Sequence, residues 1–341
     1  MRETDTVARL PENSCNTPSS PTRNTPPMRK IGVLMDPPER IRPAKDSTVA
    51  MLRAAAKRGH QILACGQPDL ILAPGRISAR FRPLQVHTGN DPWFTAGEPQ
   101  VLRLDALDVL LLRKDPPVDT AFLHDQLWAG MARGPKPLLV NHPQALRDCN
   151  EKLFALEFPE CCPATLVARD AAELRAFVAE HDQVVLKPID GMAGRSIFRS
   201  HRGDPNLNVI LETLTDNGRQ FALAQRFIPE ISAGDKRILL IDGEPVPFCL
   251  ARIPGGDDFR GNLARGGRGI AKPLSDRDRW ICAQVGPELK RRGLIFVGLD
   301  VIGDWLTEIN VTSPTGIVDI DAQAGTDIGM KLFDAIESKL T

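Results

Sequence analysis

Residues 293–314 read GLIFVGLDVIGDWLTEINVTSP, and the reading of this stretch decides the fold. Two apolar runs, Leu294–Ile302 and Trp305–Val311, flank Gly303-Asp304. Gly-Asp between apolar runs is a tight-turn signal, so a β-hairpin is expected here. Glu308 and Asn310 lie two apart on one strand and therefore share a face. If Asp300 stands opposite them, three oxygen ligands converge inside otherwise apolar strands. Unpaired buried carboxylates are costly, so something must neutralise them. Mg²⁺ is the natural candidate, because it takes hard oxygen ligands and shares its remaining positions with nucleotide phosphates. The same spacing also allows a second reading, in which these residues are the solvent face of an antiparallel hairpin.

The rest of the 341-residue chain bears on that choice. Its length allows two or three packed domains, and 42% hydrophobic with 25% charged residues is ordinary for a globular protein. Lys+Arg 43 balances Asp+Glu 43, so no global basic field points to nucleic acid or membrane, and anion binding must come from local clusters. The seven cysteines, at 15, 65, 149, 161, 162, 249 and 282, are odd in number and contain no zinc-type CxxC pair. A reducing cytoplasm without a disulfide framework is expected. No apolar run approaches the length of a transmembrane helix. Residues 1–28 are rich in Pro, Thr, Ser and Asn, poor in large apolar residues, and expected to be disordered. They lack the apolar core of a secretory signal, their acidic residues argue against a transit peptide, and Met28 is a candidate start immediately before the first strand.

Working along the chain, KIGVLM at 30–35 is a buried-strand run stopped by Asp36-Pro37-Pro38. Asp46-Ser47 should cap a helix through Lys57, followed by a strand at 61–64. This β-loop-α-β opening points to a parallel sheet with ligand-binding loops at its carboxyl edge. A hairpin is expected over 70–86, a strand at 108–112 ending in Arg113-Lys114-Asp115-Pro116-Pro117, a helix over 119–131 and a strand at 138–140. Residues 141–150 read as a boundary. A short helix over 151–157 carries Lys152, and a strand over 184–186 ends in Lys187-Pro188. Gly191–Ser196 follows between two strands, which argues against a P-loop or a dinucleotide fingerprint, although glycine-bearing hairpins can lay backbone N–H groups over phosphates. Strands are expected over 221–228, 237–241 and 246–251. Residues 253–270 then become rich in Gly and Arg. Arg252, Arg260, Arg265 and Arg268 on or beside such a loop suit a lid closing over anions, with Arg237 on the adjacent strand; an ordinary surface loop is the alternative. Ser275 with Asp278 forms a capping-box pattern opening a helix through 292, and residues 321–340 read mostly as one closing helix. Together, reaching lysines, a Gly hairpin, an Arg-rich loop and a carboxylate hairpin describe a nucleotide–Mg²⁺ cleft.

The strings LLRKDPP, LRDCNEKLF, LKPIDGMAG, GDKRILLIDGEPVPFCLARIP, RGNLARGGRG and GLIFVGLDVIGDWLTEINVTSPTG resemble bacterial glutathione synthetase, an ATP-grasp ligase, and the resemblance runs collinearly from Arg29 to the end. It implies an N-terminal parallel-sheet α/β domain (29–150) followed by a two-part α+β ATP-grasp fold, with a central subdomain at 151–230 and a C-terminal one at 231–341 that carries a lid at 253–268. By the same resemblance, Lys152, Lys187, Gly191, Met192, Gly194 and Arg195 attend the phosphates. Gln225, Phe227 and Ile228 face the adenine, and Asp235 lies near the ribose. Asp300, Glu308 and Asn310 hold Mg²⁺ or Mn²⁺. Arg237, Arg252 and Arg268 stabilise charge during the reaction, while Asp36, Ser47, Arg113, Arg252 and Arg260 contact substrate. The implied reaction is ATP-dependent joining of γ-glutamylcysteine and glycine through an acyl phosphate, in a cytoplasmic homotetramer acting on small molecules rather than nucleic acid or membrane. The family's phosphate loop commonly reads GMGG-A-S, whereas Ala193 and Arg195 stand here. Two rivals share the cleft. A different ATP-grasp ligase should lack the dipeptide-side strings, and a non-catalytic ATP-binding regulator should have lost a metal ligand or a lid arginine.

Overall fold

The computed structural model describes residue 1 and residues 27–192, 194–255 and 267–340. The N-terminal extension, Ala193, and the Gly/Arg stretch at 256–266 with Arg260 and Arg265 lie outside the described residues.

The first unit begins with β1 (Lys30–Leu34), α1 (Ser47–Lys57), β2 (Gln61–Cys65), β3 (Leu70–Ala73), β4 (Arg76–Val86), β5 (Phe94–Ala96), β6 (Gln100–Arg103) and β7 (Val109–Leu112). It continues through α2 (Thr120–Gly130), β8 (Leu138–Val140) and α3 (Pro143–Asp148). Asp46 caps α1 as expected, its carboxylate accepting the Val49 N–H at 2.9 Å. The strands form an eight-stranded sheet with central order β3-β4-β2-β1-β7-β8. Pairing is parallel from β2 through β8, as the opening motif implies. The other flank is antiparallel, because β4 is long enough to pair β2, β3, β5 and β6. The sheet is thus mixed rather than purely parallel. Its parallel strands still deliver Asp36 and Arg113 to one carboxyl edge.

The second sheet is antiparallel, in the order β11-β10-β12-β9. It is built from β9 (Thr165–Ala168), α4 (Ala171–His181), β10 (Gln183–Pro188), β11 (Phe198–His201), α5 (Leu207–Thr215) and β12 (Ala222–Arg226). Leu174, Val178, Leu211 and Leu214 from the helices meet Val184, Leu186, Ala222 and Ala224 in a core of their own. Before this sheet, residues 151–153 form a turn and Phe154–Glu157 a 3₁₀ helix, so Lys152 sits on a turn rather than on the short helix expected.

The third sheet, in the order β15-β14-β13-β16-β17, contains the opening stretch. It comprises β13 (Asp235–Ile241), β14 (Glu244–Ile253), β15 (Arg268–Pro273), then α6 (Asp276–Arg291), β16 (Phe296–Ile302) and β17 (Trp305–Asn310). The capping box forms: Ser275 Oγ accepts the Asp278 N–H while Asp278 accepts the Ser275 N–H. Arg268 starts a strand paired with Ile253, so both ends of the Gly/Arg stretch rest on a regular antiparallel pair. The closing helix is two helices, α7 (Ile317–Ala324) and α8 (Ile328–Ser338), separated where Gly325 takes a left-handed φ of 65°. One face of the third sheet packs on α6 through Ile281, Val285 and Leu289, in a core shared with Leu34, Phe81 and Leu110 of the first sheet. The other face packs on α7 and α8, whose core continues into α1. The first and third sheets therefore share cores, whereas the second has its own and meets them across a cleft.

Candidate active site

The register of the opening stretch decides where its carboxylates go. Asp300 pairs directly with Glu308, and Gly298 with Asn310, so the three expected ligands do share one face. Across the other edge of β16, Arg237 pairs with Asp300. The row Arg237–Asp300–Glu308 thus crosses three strands. Gly298 is required here, since a Cβ would stand 2.7 Å from Arg237 Cδ and 3.0 Å from Pro314 Cβ.

Asp300 is buried and held by two guanidiniums. Arg237 donates Nε to Oδ1 at 2.6 Å and Nη2 to Oδ2 at 3.0 Å, and Arg252 Nη2 reaches Oδ2 at 2.9 Å. Burial raises its pKa, but the two arginines outweigh burial and hold the carboxyl well below its ordinary range. Arg252 also binds Asp235 Oδ2 at 2.5 Å from the neighbouring strand, leaving Asp235 Oδ1 buried without a partner among the described residues. Burial pushes the Asp235 carboxyl up to about 6, against Arg252.

Glu308 is neutralised from outside its own sheet. Lys187 at the end of β10 and Lys152 on its turn bring Nζ to Oε1 at 3.4 and 3.6 Å. Both lysines are buried. Burial lowers the Lys187 pKa, with Glu308 opposing; burial raises that of Glu308, but Lys152 and Lys187 overcome it and the carboxyl stays below its usual value. Lys152 Nζ also donates to the Gly191 carbonyl at 2.6 Å. Among the described residues no group of three His, Cys, Asp or Glu could hold a metal. The donor set is instead two carboxylates and an amide. Asn310 Nδ2 donates to Gly298 O at 3.3 Å, its Oδ1 has no hydrogen bond among the described residues, and the close lysine contacts of Glu308 fall on Oε1. These are hard oxygen donors of the kind a divalent ion uses when phosphates complete its shell. Asp300 fits less well, because both its oxygens already serve arginines.

The cleft between the second and third sheets holds a cavity of about 120 Å³. Lys152, Lys187, Gly191, Met192, Gly194 and Arg195 line its cationic end, with Asp235, Asp300 and Glu308 on the floor. Gln225, Phe227 and Ile228 form its far wall, together with Val185, Ile197, Ile231 and Ile302. The last four were not anticipated; Val185 and Ile302 stand two residues from Lys187 and Asp300 on their strands, while Ile197 and Ile231 lie outside strands and carried no such signal. The loop turns through positive φ at Gly194 (71°) and Ser196 (54°). The N–H groups of Arg226 and Phe227 are taken by Ala164 and Gln183, whereas the Ile228 N–H has no backbone partner among the described residues.

Other expected residues lie elsewhere. Arg268 is exposed on β15 and is not part of the cleft lining. Arg113 is buried, donating Nε to Thr48 Oγ1 and Nη2 to Pro314 O, both at 3.1 Å, and burial lowers its pKa. Asp36 accepts the Asp115 N–H at 3.0 Å and pairs with Lys114 at 3.1 Å. Ser47 is fully buried and its Oγ accepts the Ile317 N–H at 3.2 Å. Arg113 and Ser47, with Arg237 donating to Thr315 O at 3.3 Å, hold the segment that follows β17, whereas Asp36 bonds the loop after β7. Sequence reading passed over the residues that tie this segment down: Asn141, which bonds Phe296 and Val311 backbone, and Glu151, which bonds Val311 and Thr312.

Comparison with known proteins adds independent findings. Residues 29–147 match the family model "Prokaryotic glutathione synthetase, N-terminal domain", and residues 151–325 match "Prokaryotic glutathione synthetase, ATP-grasp domain". The chain is 61% identical over 308 residues to the glutathione synthetase of Xanthomonas campestris pv. campestris, covering 90% of this chain and 98% of that protein. It is 56% identical over 311 residues to that of Pseudomonas aeruginosa, covering 91% and 98%. Among solved structures, the fold is similar to D-cycloserine synthetase DcsG, with a TM-score of 0.64 at 15% identity, covering 92% of this chain and all of that one.

Proposed function

The chain belongs to the prokaryotic glutathione synthetase family and is a ligase that forms glutathione at the expense of ATP, and on that premise we propose how its residues divide the work. The observation that carries the assignment is the meeting of Lys152 and Lys187 on Glu308 in the cleft between the two antiparallel sheets. An ATP triphosphate entering there draws on the two lysines and on the backbone of the Gly191–Arg195 loop. The Ile228 N–H is the donor for adenine. The unpartnered Asp235 Oδ1 is the acceptor for a ribose hydroxyl.

The family uses a divalent metal, and Glu308 and Asn310 fit it, with Asp300 behind them. Mg²⁺ is proposed, with Mn²⁺ as substitute; when bound, the ion neutralises phosphate charge. The chemistry starts from a carboxylate, a poor electrophile. Transfer of the γ-phosphoryl group to the cysteinyl carboxylate releases ADP and leaves an acyl phosphate. Attack by the glycine amine forms the amide, loses a proton and expels phosphate. No protein nucleophile is needed, so positioning and charge neutralisation carry the catalysis. Arg237 and Arg252, held together by Asp300 beneath the cleft floor, are assigned to stabilise that charge. Arg113 and Asp36 at the carboxyl edge of the first sheet are assigned to the dipeptide.

The proposed domain division is 29–150, 151–230 and 231–341, supported by the gap between the two family matches and by the three separate sheets. A cytoplasmic homotetramer is proposed from the family resemblance. The six described cysteines are free, and no helix among the described residues is long and apolar enough to cross a membrane. Light scattering tests the assembly. Release of ADP with γ-glutamylcysteine, with and without glycine, tests the activity. Full turnover must require both, and turnover on another amine or carboxylate in their place would overturn the assignment.

A further inference from the structure

Lys152 reaches the cleft, yet the two residues before it belong to no ligand set above. Their bonds point in different directions. Asn150 Oδ1 accepts the N–H groups of Lys152 and Leu153, both at 3.1 Å, while its Nδ2 donates to Asp190 Oδ1 at 3.2 Å and to Ile189 O at 3.4 Å. It therefore ties the lysine's turn to the start of the phosphate-facing loop. Glu151 turns the other way. Its Oε1 accepts the Val311 N–H at 3.1 Å, the Thr312 N–H at 3.2 Å and the Thr312 hydroxyl at 2.8 Å, and its carbonyl accepts the Ile309 N–H at 2.8 Å. β17 ends at Asn310, so Val311 and Thr312 lie beyond the strand ladder. Glu151 supplies the acceptor that the ladder no longer does.

We propose that Asn150 and Glu151 are two separate positioning residues: Asn150 sets the phosphate-facing loop, and Glu151 sets the end of β17 and with it the donor atoms of Glu308 and Asn310. This rests on the assignment of Glu308 and Asn310 to the metal. Three consecutive residues then tie together two walls of one cleft, since Lys152 itself bonds Gly191 O on the loop and Glu308 on β17. Strand ends open locally at little cost unless pinned, and a ligand on a loosened end loses its preorganisation. All three side-chain bonds to Glu151 are donated to one oxygen. An amide oxygen can accept the same three, so E151Q should keep the anchor, whereas E151A leaves two backbone N–H groups without their acceptor.

The test measures binding without turnover, by calorimetry of ADP in EDTA and then of Mn²⁺ added to the enzyme–ADP complex, for the wild type, N150A, E151A, E151Q and N310A. E151A should weaken the Mn²⁺ step by about tenfold or more, as loss of a group that orients a metal ligand does, with ADP affinity in EDTA held within about twofold. N150A should do the reverse, weakening ADP in EDTA by about fivefold with the Mn²⁺ step unmoved. E151Q should restore the Mn²⁺ step. Equal shifts of both steps in N150A and E151A, or wild-type Mn²⁺ binding in E151A, would overturn the proposal. N310A separates the two levels. Unchanged Mn²⁺ binding in N310A sinks the metal assignment itself, whereas weakened binding in N310A beside normal binding in E151A sinks only this inference. If E151A does not fold, T312V removes one of the three bonds and should weaken Mn²⁺ by about threefold. No change in T312V would then count against the proposal.

Discussion

Asp300 and Glu308 stand directly opposite each other on β16 and β17, and each is neutralised by its own pair of cations, Arg237 and Arg252 for the first, Lys152 and Lys187 for the second. The arginines belong to the same sheet as Asp300. The lysines approach Glu308 from outside that sheet, Lys187 from the second sheet across the cleft and Lys152 from a turn bonded to the edge of β17. One carboxylate is thus part of a rigid internal network, and the other joins the two sides of the site.

That difference predicts opposite phenotypes. D300N removes the charge that holds two buried guanidiniums and should cost about 3–5 kcal/mol of stability, the usual penalty for breaking a buried pair. E308Q should cost less than half of that, because Glu308 is only partly buried, yet lower kcat by roughly a hundredfold through lost charge organisation at the phosphates. Urea unfolding and initial rates on the same preparations decide it. Equal stability losses in the two variants would contradict the division.

Asp235 and Asp300 predict a pH dependence with two signs. Burial raises the Asp235 carboxyl to about 6, above its unfolded value, so the native state takes up its proton first and stability falls as pH rises through 6. Asp300 is depressed, so its contribution is present above the ordinary carboxylate range and is lost as pH falls below it. On the account of these two groups the wild type should therefore be most stable near the unfolded carboxylate pKa of about 4, where the Asp300 contribution is complete and the Asp235 loss has only begun. D235N should flatten the slope between about pH 4 and 6, because its amide does not titrate there. Urea midpoints across that range check it, and an unchanged slope in D235N would refute the assignment.

Much of this was legible locally. The Gly303-Asp304 turn, the Asp46 cap, the Ser275–Asp278 box and the strand-loop-strand around Gly191 are each written within a few residues, and each formed. The shared face of Asp300, Glu308 and Asn310 needed only the hairpin register. What escaped was long-range. Glu151 is 160 residues from Val311 and Asn141 is 155 from Phe296, and no periodicity links such positions. β15 was hidden because Arg268 to Pro273 carries little apolar alternation and is a strand by pairing with β14. The two closing helices read as one because Gly325 can sit inside a helical pattern until its left-handed φ is seen.

Gly191 should be intolerant of a methyl group for a local reason. A Cβ there would stand 2.7 Å from Pro188 Cγ, in a ring that cannot swing aside as a flexible chain end can. The loop must shift, and with it the carbonyl that takes the Lys152 ammonium. G191A should raise the KM for ATP by about tenfold, equivalent to roughly 1.4 kcal/mol. The fold should survive, since the loop lies outside the core of the second sheet. Steady-state kinetics beside a thermal melt tests both halves. A lowered melting point with unchanged KM would show that the strain is absorbed elsewhere.

The second sheet has its own core, so contacts across the cleft must fix how far it stands from the third. Arg226, at the end of β12, lies over the Trp305 ring at 5.4 Å from its centroid, and Trp305 opens β17. The pair therefore bridges the two sheets at the end of the cleft proposed for adenine, with Arg226 also lining it. A contact of this kind is worth about 0.5–2 kcal/mol, and its loss should appear as wider sampling of cleft openings rather than as unfolding. R226A should raise the KM for ATP by about two- to tenfold while leaving kcat at saturating ATP within about twofold. W305A should give the same change, and the double variant should be no worse than either single, since the two act as one unit. Additive losses in the double variant would mean that Arg226 and Trp305 contact the nucleotide independently.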